Sequence, residues 1–490
     1  MGECEPRGEG DSVSEVELAY QVGQAVDVTV TDVAQGGWCV ARLEGLPVIF
    51  VRHALPGERV IAVVTEVTTR FARADATEIL AASADRVEPP CPNAHPGGCG
   101  GCDWQHASLP AQRALKAAVI AQQLRRVAGL DLDREITVEP LPGDEPAESG
   151  LGWRTRVQFA VRPDGVAGLR AHRSHEVIDI GDCPIAHPAL RDLGLLDHVW
   201  EGAGTVEAAV GSVGPDDPEQ PDRAVILTKA TRGARRGRQA QDGRQAPGAA
   251  PGAGGARAGQ QRGTTVRSEE RVELFPQEAV DAVEAEAFLI RTGSKVTPLH
   301  GRQYLAQFAA DRHWQVSAGG FWQVHPAAAD TLSEAVLGAL EPKPGDTALD
   351  LYCGAGLFAG VLAPVIGPDG AVTGIESDAA AVKDARANLS GYPWVKVRRN
   401  DVAEAVADAV LPPARLVVAD PPRTGLAREV IAYLTGDGAA ERFAYVSCDP
   451  ATLARDLGLL IAGGWHVDGL RAFDAFPMTH HVECVVTLTR

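Results

Sequence analysis

At 490 residues and 51.5 kDa the chain is too long for one hydrophobic core and predicts two to four domains. Apolar residues make up 45% and charged residues 23%, which excludes wholesale disorder. Forty-six basic residues against 65 acidic ones leave a net charge of −19, which excludes a bulk polycation; any nucleic-acid contact must use local basic patches.

The start, MGECEPRGEGDSVSEVEL, lacks the basic and apolar regions of a signal peptide, and Pro6 stands where a myristoylation signal needs Ser or Thr. Residues 1–19 read as a disordered acidic tail. In residues 20–85, Val26, Val28 and Val30 alternate with Asp27, Thr29 and Thr31, as a half-buried strand requires. Further strands are expected at 47–51 and 60–67, with turns at Gly36-Gly37 and Pro56-Gly57, so a small β-barrel of the kind that carries RNA is predicted.

Residues 86–309 form the expected central α+β region. It opens with a turn-rich cysteine cluster, followed by a helix over 108–127 and strands over 153–185. The stretch 231–263 carries seven Arg among Gly, Ala, Gln and Pro; it cannot bury a core and is expected to be a disordered insertion. The longest apolar run, Leu351–Ile366, is broken by glycines and Pro364 and reads as strand, loop and helix rather than a membrane span. A cytoplasmic protein with no membrane contact is expected.

From 310 to 490 strands and helices alternate. Strands are predicted at Thr347–Leu351, Ala371–Glu376, Val395–Val397, Leu416–Asp420, Ala444–Cys448 and Val482–Leu488, which gives a doubly wound α/β domain with an antiparallel last strand. The first strand runs into Tyr352-Cys353-Gly354-Ala355-Gly356, and Glu376 ends the second strand 22 residues after Gly354, where a carboxylate accepts hydrogen bonds from ribose hydroxyls. The third glycine of the dinucleotide fingerprint is missing: position 359 is Ala, and Gly360 comes one residue late. An adenosine cofactor without a pyrophosphate fits better, namely S-adenosylmethionine.

Asp420-Pro421-Pro422-Arg423 puts a carboxylate at the end of the next strand. Cys448 ends the strand after that, before a helix opening at Pro450, where a helix N-terminus is expected to lower a thiol's pKa; an isolated cysteine is more often a small buried hydrophobe. Glu483 lies on a strongly apolar strand, where a carboxylate needs a partner or a purpose, and a raised pKa would suit it to accept a proton. A thiolate adding at uracil C6 makes C5 nucleophilic toward a sulfonium methyl; a base then removes the C5 proton and the thiolate leaves. The chain offers one candidate for each role.

Nine cysteines give no disulfide-scaffold density, but Cys91, Cys99 and Cys102 cluster and Cys183 follows, a pattern that points to metal. On spacing alone zinc and an iron–sulfur cluster both remain open.

The segments FWQVHP (321–326), DLYCGAG (350–356), GIE (374–376), DPPRTG (420–425), SCDPATLARD (447–456) and DAFPMTHHVE (474–483) resemble, in order, those of the RNA uracil-C5 methyltransferases. The resemblance implies Cys448 as nucleophile and Glu483 as base. It also implies Gln323, Tyr352, Glu376, Asp401 and Asp420 as contacts of S-adenosylmethionine, beside Gly354 and Gly356 of the Gly-rich turn. Residues 20–85 resemble a TRAM domain. The spacing Cys91-x7-Cys99-x2-Cys102-x80-Cys183 resembles that family's [4Fe–4S] signature and favours the cluster over zinc. Trp153, Arg154, Thr155, Arg156 and Phe159 resemble a basic-aromatic strand, with RNA contact and a solvated strand face equally open. His325 and Asp449 stand where many members have Asn. The implied partner is RNA, with ribosomal RNA favoured over tRNA, bound by a monomer; the competing readings are an RNA-binding chaperone without catalysis and a methyltransferase acting on another RNA or nucleoside position.

Overall fold

Val26, Val28 and Val30 turn into one core while their polar neighbours face out, and the strand they form is the first of a closed barrel. The computed structural model describes residues 19–132, 135–143, 149–214, 220–230, 277–436 and 440–490; the expected acidic tail, except residue 19, and the insertion 231–263 lie outside the described residues. The chain divides into two compact units, Met1–Glu88 and Pro89–Arg490.

The first unit holds β1 (Ala25–Ala34), β2 (Trp38–Ala41), β3 (Val48–Arg52), β4 (Arg59–Val67) and β5 (Phe71–Ala81), closed in the order β1-β2-β3-β5-β4. Valines and alanines of all five strands fill the interior. Register shifts between β4 and β5 bend the strands enough for closure.

The second unit continues with α1 (Leu109–Gln123), β6 (Val138–Glu139), β7 (Arg156–Val161), β8 (Ala167–Arg170), β9 (Val177–Ile178), α2 (Pro188–Arg191), β10 (Ala203–Val210), β11 (Arg223–Lys229), α3 (Gln277–Ala282), β12 (Ala287–Thr292), β13 (Lys295–His300), β14 (Tyr304–Ala309) and β15 (Arg312–Ser317). There follow α4 (Ala328–Leu340), β16 (Thr347–Leu351), α5 (Leu357–Ile366), β17 (Ala371–Glu376), α6 (Ala379–Asn388), β18 (Val395–Arg399), α7 (Val402–Ala407), β19 (Leu416–Ala419), α8 (Arg428–Thr435), β20 (Arg442–Ser447), α9 (Pro450–Ala462), β21 (His466–Phe473) and β22 (Glu483–Thr489). One sheet runs β13-β12-β11-β10-β7-β8-β9; β14 and β15 form a hairpin; the third sheet runs β18-β17-β16-β19-β20-β22-β21-β6.

In the third sheet successive residues serve opposite cores. Leu349, Leu351, Val417, Ala419, Phe443 and Tyr445 face one, and Ala348, Leu416, Val418, Ala444 and Val446 the other. These strands read as unbroken apolar runs because both faces are covered by helices. The strands β16 to β20 are parallel and β22 alone runs against its neighbours, so the start of β22 lies at the carboxyl ends of the others. That brings the loops after β16, β17, β19 and β20 to the same sheet end as residue 483, as ligand crevices of open α/β sheets require. Two elements from before residue 140 join this sheet: β6 pairs with β21, and α1 puts Ile120 into the core that α9 shares. The expected division at 309/310 therefore corresponds to no break in packing.

Candidate functional site

The Gly-rich turn is built by backbone that only small residues permit. Gly354 has φ +52° and Gly356 φ +94°, and a Cβ on Gly356 would stand 2.9 Å from Leu389. A Cβ on Gly354 would meet no atom within 4 Å, which leaves an open cradle above the turn. Tyr352 itself takes φ +66°, an uncommon conformation for a bulky residue. The late third glycine has a distinct purpose: a Cβ on Gly360 would lie 2.3 Å from the Trp314 ring, so Gly360 lets α5 pack onto the β14–β15 hairpin. Asp350 accepts the Ala359 N–H at 2.7 Å through one oxygen and leaves the other buried without a partner; burial pushes its carboxyl up to about 8.

Glu376 rims the cradle. Its carboxylate accepts N–H groups of Gly354 at 3.1 Å and Asp378 at 2.7 Å. Asp401 caps α7, accepting from Ala403 and Glu404 at 2.9 and 3.1 Å. Its charge also bears on Tyr352, whose hydroxyl burial pushes up to about 12. Gln323 is buried in the loop before α4. Its neighbour Trp322 packs on Trp314, the residue against Gly360, and the Val324 carbonyl accepts the Thr155 N–H and hydroxyl, both at 2.9 Å. These residues fit an adenosine ligand: an open glycine cradle, an orphaned buried oxygen and a rim carboxylate.

Cys448 follows the last residue of β20, and Glu483 opens β22. The last antiparallel rung is Ser447 with Cys484, so the register carries Cys448 to the place opposite Glu483. Asp420, one residue past β19, bears electrostatically on both. All three acids are held toward their protonated forms, burial being the largest cause for each. Burial pushes the Asp420 carboxyl up to about 7. Burial, with the Asp420 charge added, drives Glu483 well above the usual carboxylate range, and its Oε2 is buried without a hydrogen bond. The Cys448 thiol is raised as well, to about 12, by burial first and then by the charges of Glu483 and Asp420; Arg423 opposes them. The expected lowering by the helix N-terminus is thus corrected: burial and two carboxylates outweigh it. The first-turn N–H groups of α9 are already taken, those of Ala451 and Thr452 donating to Asp449 at 3.0 Å.

The last 78 residues, 413–490, match the family model described as tRNA (Uracil-5-)-methyltransferase, residues 20–77 match the TRAM domain, and residues 325–432 match the Methyltransferase small domain. An uncharacterized RNA methyltransferase of Streptomyces coelicolor is 46% identical over 99% of this chain and 97% of its own length. One of Bifidobacterium longum is 33% identical over 95% and 96%. The chain belongs to the RNA uracil-5-methyltransferase family. The fold agrees with that of Pyrococcus abyssi tRNA (uracil-54, C5)-methyltransferase in complex with S-adenosyl-L-homocysteine, with TM-score 0.63 and 20% identity over 95% of this chain and 100% of that one.

In this RNA uracil-5-methyltransferase the segment 153–161, which includes β7, is half-buried, with one face turned into the core. Trp153 and Phe159 are buried, Trp153 against His325 and Phe476. Arg156 is held by Glu207 and donates to the Ala318 carbonyl at 2.8 Å. Both readings, an RNA-stacking face and a solvated one, are corrected for Trp153 and Phe159, which build the core of the central sheet, while Arg154, Thr155 and Arg156 are half-buried.

Among the described residues no group of three or more His, Cys, Asp or Glu side chains is placed to hold a metal ion, so the geometry supports neither zinc nor the expected iron–sulfur cluster. Cys91, Cys99, Cys102 and Cys183 nevertheless lie near enough to oppose one another's ionisation, and burial raises Cys102 to about 12 and Cys183 to about 11. The Gly101 N–H donates to Cys99 Sγ at 3.4 Å, and Arg154 favours the thiolates of Cys99 and Cys183. Gly100 is required because His172 backbone would lie 2.6 Å from a Cβ there. The desolvated thiols of Cys99, Cys102 and Cys183 would be favoured as thiolates by a cationic centre.

Sequence reasoning missed how the DPPRTG loop is fixed. Buried Asp456 accepts the Tyr445 hydroxyl at 2.7 Å and the Leu426 N–H at 2.8 Å. No local signal marks that carboxylate, since its partners come from other strands and loops. The capping role of Asp449 was legible, because Asp before Pro is a helix-start pattern. No helix of the described residues is long and apolar enough to cross a membrane.

Proposed function

We propose that the protein methylates C5 of a uridine in structured RNA through a covalent Cys448–C6 adduct. The observation that carries the reading is the register of β20 and β22, which sets the only thiol of the SCDP turn against a carboxyl group at the end of the cofactor sheet. Gln323, Tyr352, Gly354, Gly356, Glu376, Asp401 and Asp420 would hold S-adenosylmethionine. That ligand supplies the methyl group and a sulfonium charge that favours the ionised forms of Cys448 and Glu483.

The Cys448 thiol gives up its proton as sulfur bonds to C6, and Asp420, poised near neutrality, is the acceptor within electrostatic reach. The electron pair so placed at C5 takes the methyl group. The Glu483 carboxylate removes the C5 proton, the C5–C6 double bond re-forms and the sulfur leaves. Burial serves this sequence: a base raised above the carboxylate range binds the C5 proton more firmly than an exposed glutamate.

Ribosomal RNA is the favoured substrate class, on the joint presence of a TRAM domain and the four-cysteine pattern. The tRNA reading draws on the Pyrococcus fold neighbour and the family model's description. Methyl transfer to the two RNA pools offered separately decides between them.

The cysteine quartet is proposed to hold a [4Fe–4S] cluster of architectural role, supported by its spacing and by the mutual electrostatic reach of its thiols, those of Cys91 and Cys183 buried and those of Cys99 and Cys102 partly so. Anaerobic purification should yield about four iron atoms per chain by metal analysis. Stoichiometric zinc, or neither metal, contradicts it.

A further inference from the structure

The nine residues between β21 and β22, Asp474–Val482, lead directly into Glu483 and have no strand partner, yet most of them are buried. Their polar groups are met by side chains and backbone of a segment more than 350 residues earlier. Lys116, itself fully buried, donates to Asp474 at 2.5 Å and to the Phe476 carbonyl at 3.0 Å. Gln112 accepts the Met478 N–H at 2.8 Å, and its amide NH2 is spent on the carbonyls of Trp104 and Ala107 at 3.0 and 2.9 Å, which fixes its orientation. The Asp103 and Trp104 N–H groups donate to the Met478 carbonyl at 3.0 and 3.1 Å. The Asp103 carboxylate takes the His480 ring at 2.5 Å and its N–H at 3.3 Å. Met478 is held at φ +69° by these contacts.

The same segment reaches the other half of the reaction centre. Ile120 of α1 and Leu124 just after it pack into the core with Leu453, Leu457 and Leu460 of α9, the helix that begins two residues after Cys448. A buried Lys–Asp pair is a poor device for stability alone, because desolvation offsets most of its attraction; its use is to fix a register.

We propose that Asp103, Gln112 and Lys116 are positioning residues for Glu483: they clamp the segment before it and so set the carboxyl against Cys448. The inference rests on the roles proposed above for Cys448 and Glu483. A slackened clamp harms the step that needs Glu483 placed, C5 proton removal, more than the addition of Cys448 to the base.

The test uses full-length protein with labelled S-adenosylmethionine and unmodified RNA. It compares wild type with Gln112→Met and with the double variant Lys116→Met/Asp474→Leu, which replaces the buried pair by apolar groups. Turnover should fall about tenfold or more in each. The share of protein carrying a denaturation-stable, methyl-labelled RNA adduct should rise several-fold, with cofactor affinity within about twofold of wild type. Turnover near wild type, or slow turnover with no rise in the adduct, overturns the clamp. A wild type that methylates no uridine, or a Cys448→Ala variant that still does, overturns the underlying reading and the clamp with it.

Discussion

Cys448 and Glu483 stand opposite one another one step beyond the Ser447–Cys484 rung, where β20 ends and β22 begins. Burial and the Asp420 charge make both harder to ionise, and the Glu483 charge adds to this at Cys448, so the ligand-free centre is held in its protonated, unreactive form. The thiolate that attacks C6 therefore forms only once positive charge arrives. Alkylation of Cys448 by iodoacetamide at pH 7 should be at least tenfold slower than that of free cysteine. It should keep rising with pH, without a plateau below about pH 10, and Asp420→Asn should speed it. Mass spectrometry of the peptide containing Cys448 reads the rate; a plateau near pH 8 contradicts the assignment.

Three buried carboxyls give the ligand-free protein a pH-dependent stability. Asp350 is raised to about 8, Asp420 to about 7 and Glu483 well above its ordinary range, each chiefly by burial. Between the unfolded values near 4 and these folded ones, the native state binds more protons than the unfolded state. The stability is fully present below about pH 4 and is lost as pH rises through 7 and 8. The unfolding free energy should fall between pH 5.5 and 8.5, and Asp350→Asn should reduce that fall by about 1 kcal/mol or more, as read from urea unfolding at each pH. An unchanged slope in the variant would show that Asp350 is ionised throughout.

The glycines of the cofactor turn should differ in cost. Gly360→Ala places a methyl 2.3 Å from Trp314 and is expected to destabilise by about 1–3 kcal/mol, weakening cofactor binding as the hairpin shifts. Gly354→Ala meets no atom and pays only the left-handed backbone, about 1–2 kcal/mol. Urea unfolding with cofactor titration separates the two.

Much of this architecture was legible in the chain. The predicted strands Thr347–Leu351 and Ala371–Glu376 are β16 and β17 to the residue, because apolar runs bounded by Asp, Gly and turn residues leave little choice. Cys448 and Glu483 drew notice as a thiol before Asp-Pro and a carboxylate on an apolar strand, but their proposed roles come from the family resemblance rather than from any local pattern. What escaped was non-local. No periodicity says that α1 and β6 join a sheet completed by residues 466–489, nor that Lys116 meets Asp474. The Cys448 pKa was misjudged for the same reason: the helix start is visible in sequence, while Asp420 and Glu483 are brought beside the thiol only by folding. Trp153 and Phe159 looked like stacking groups, and an aromatic's burial depends on the strands beside it.

The cysteine quartet should matter to architecture rather than to chemistry. Cys99 packs beside Cys183 on the core of the central sheet, and Asp103 follows Cys102 directly. Cys99→Ala is expected to lower solubility and RNA affinity, while cofactor binding in the folded fraction stays intact. Filter binding with RNA and calorimetry with the cofactor check both; a variant that folds, binds RNA and methylates at the wild-type rate refutes that role.

The central claim is a covalent uridine-C5 methylation carried by Cys448. The direct measurement is transfer of labelled methyl from S-adenosylmethionine, by anaerobically purified protein, to unmodified ribosomal RNA and tRNA offered separately, followed by nucleoside mass analysis. The account predicts 5-methyluridine in one pool, ribosomal RNA favoured, and none with Cys448→Ala. Methylation of another nucleoside, or 5-methyluridine formed undiminished by the Cys448→Ala variant, would contradict it.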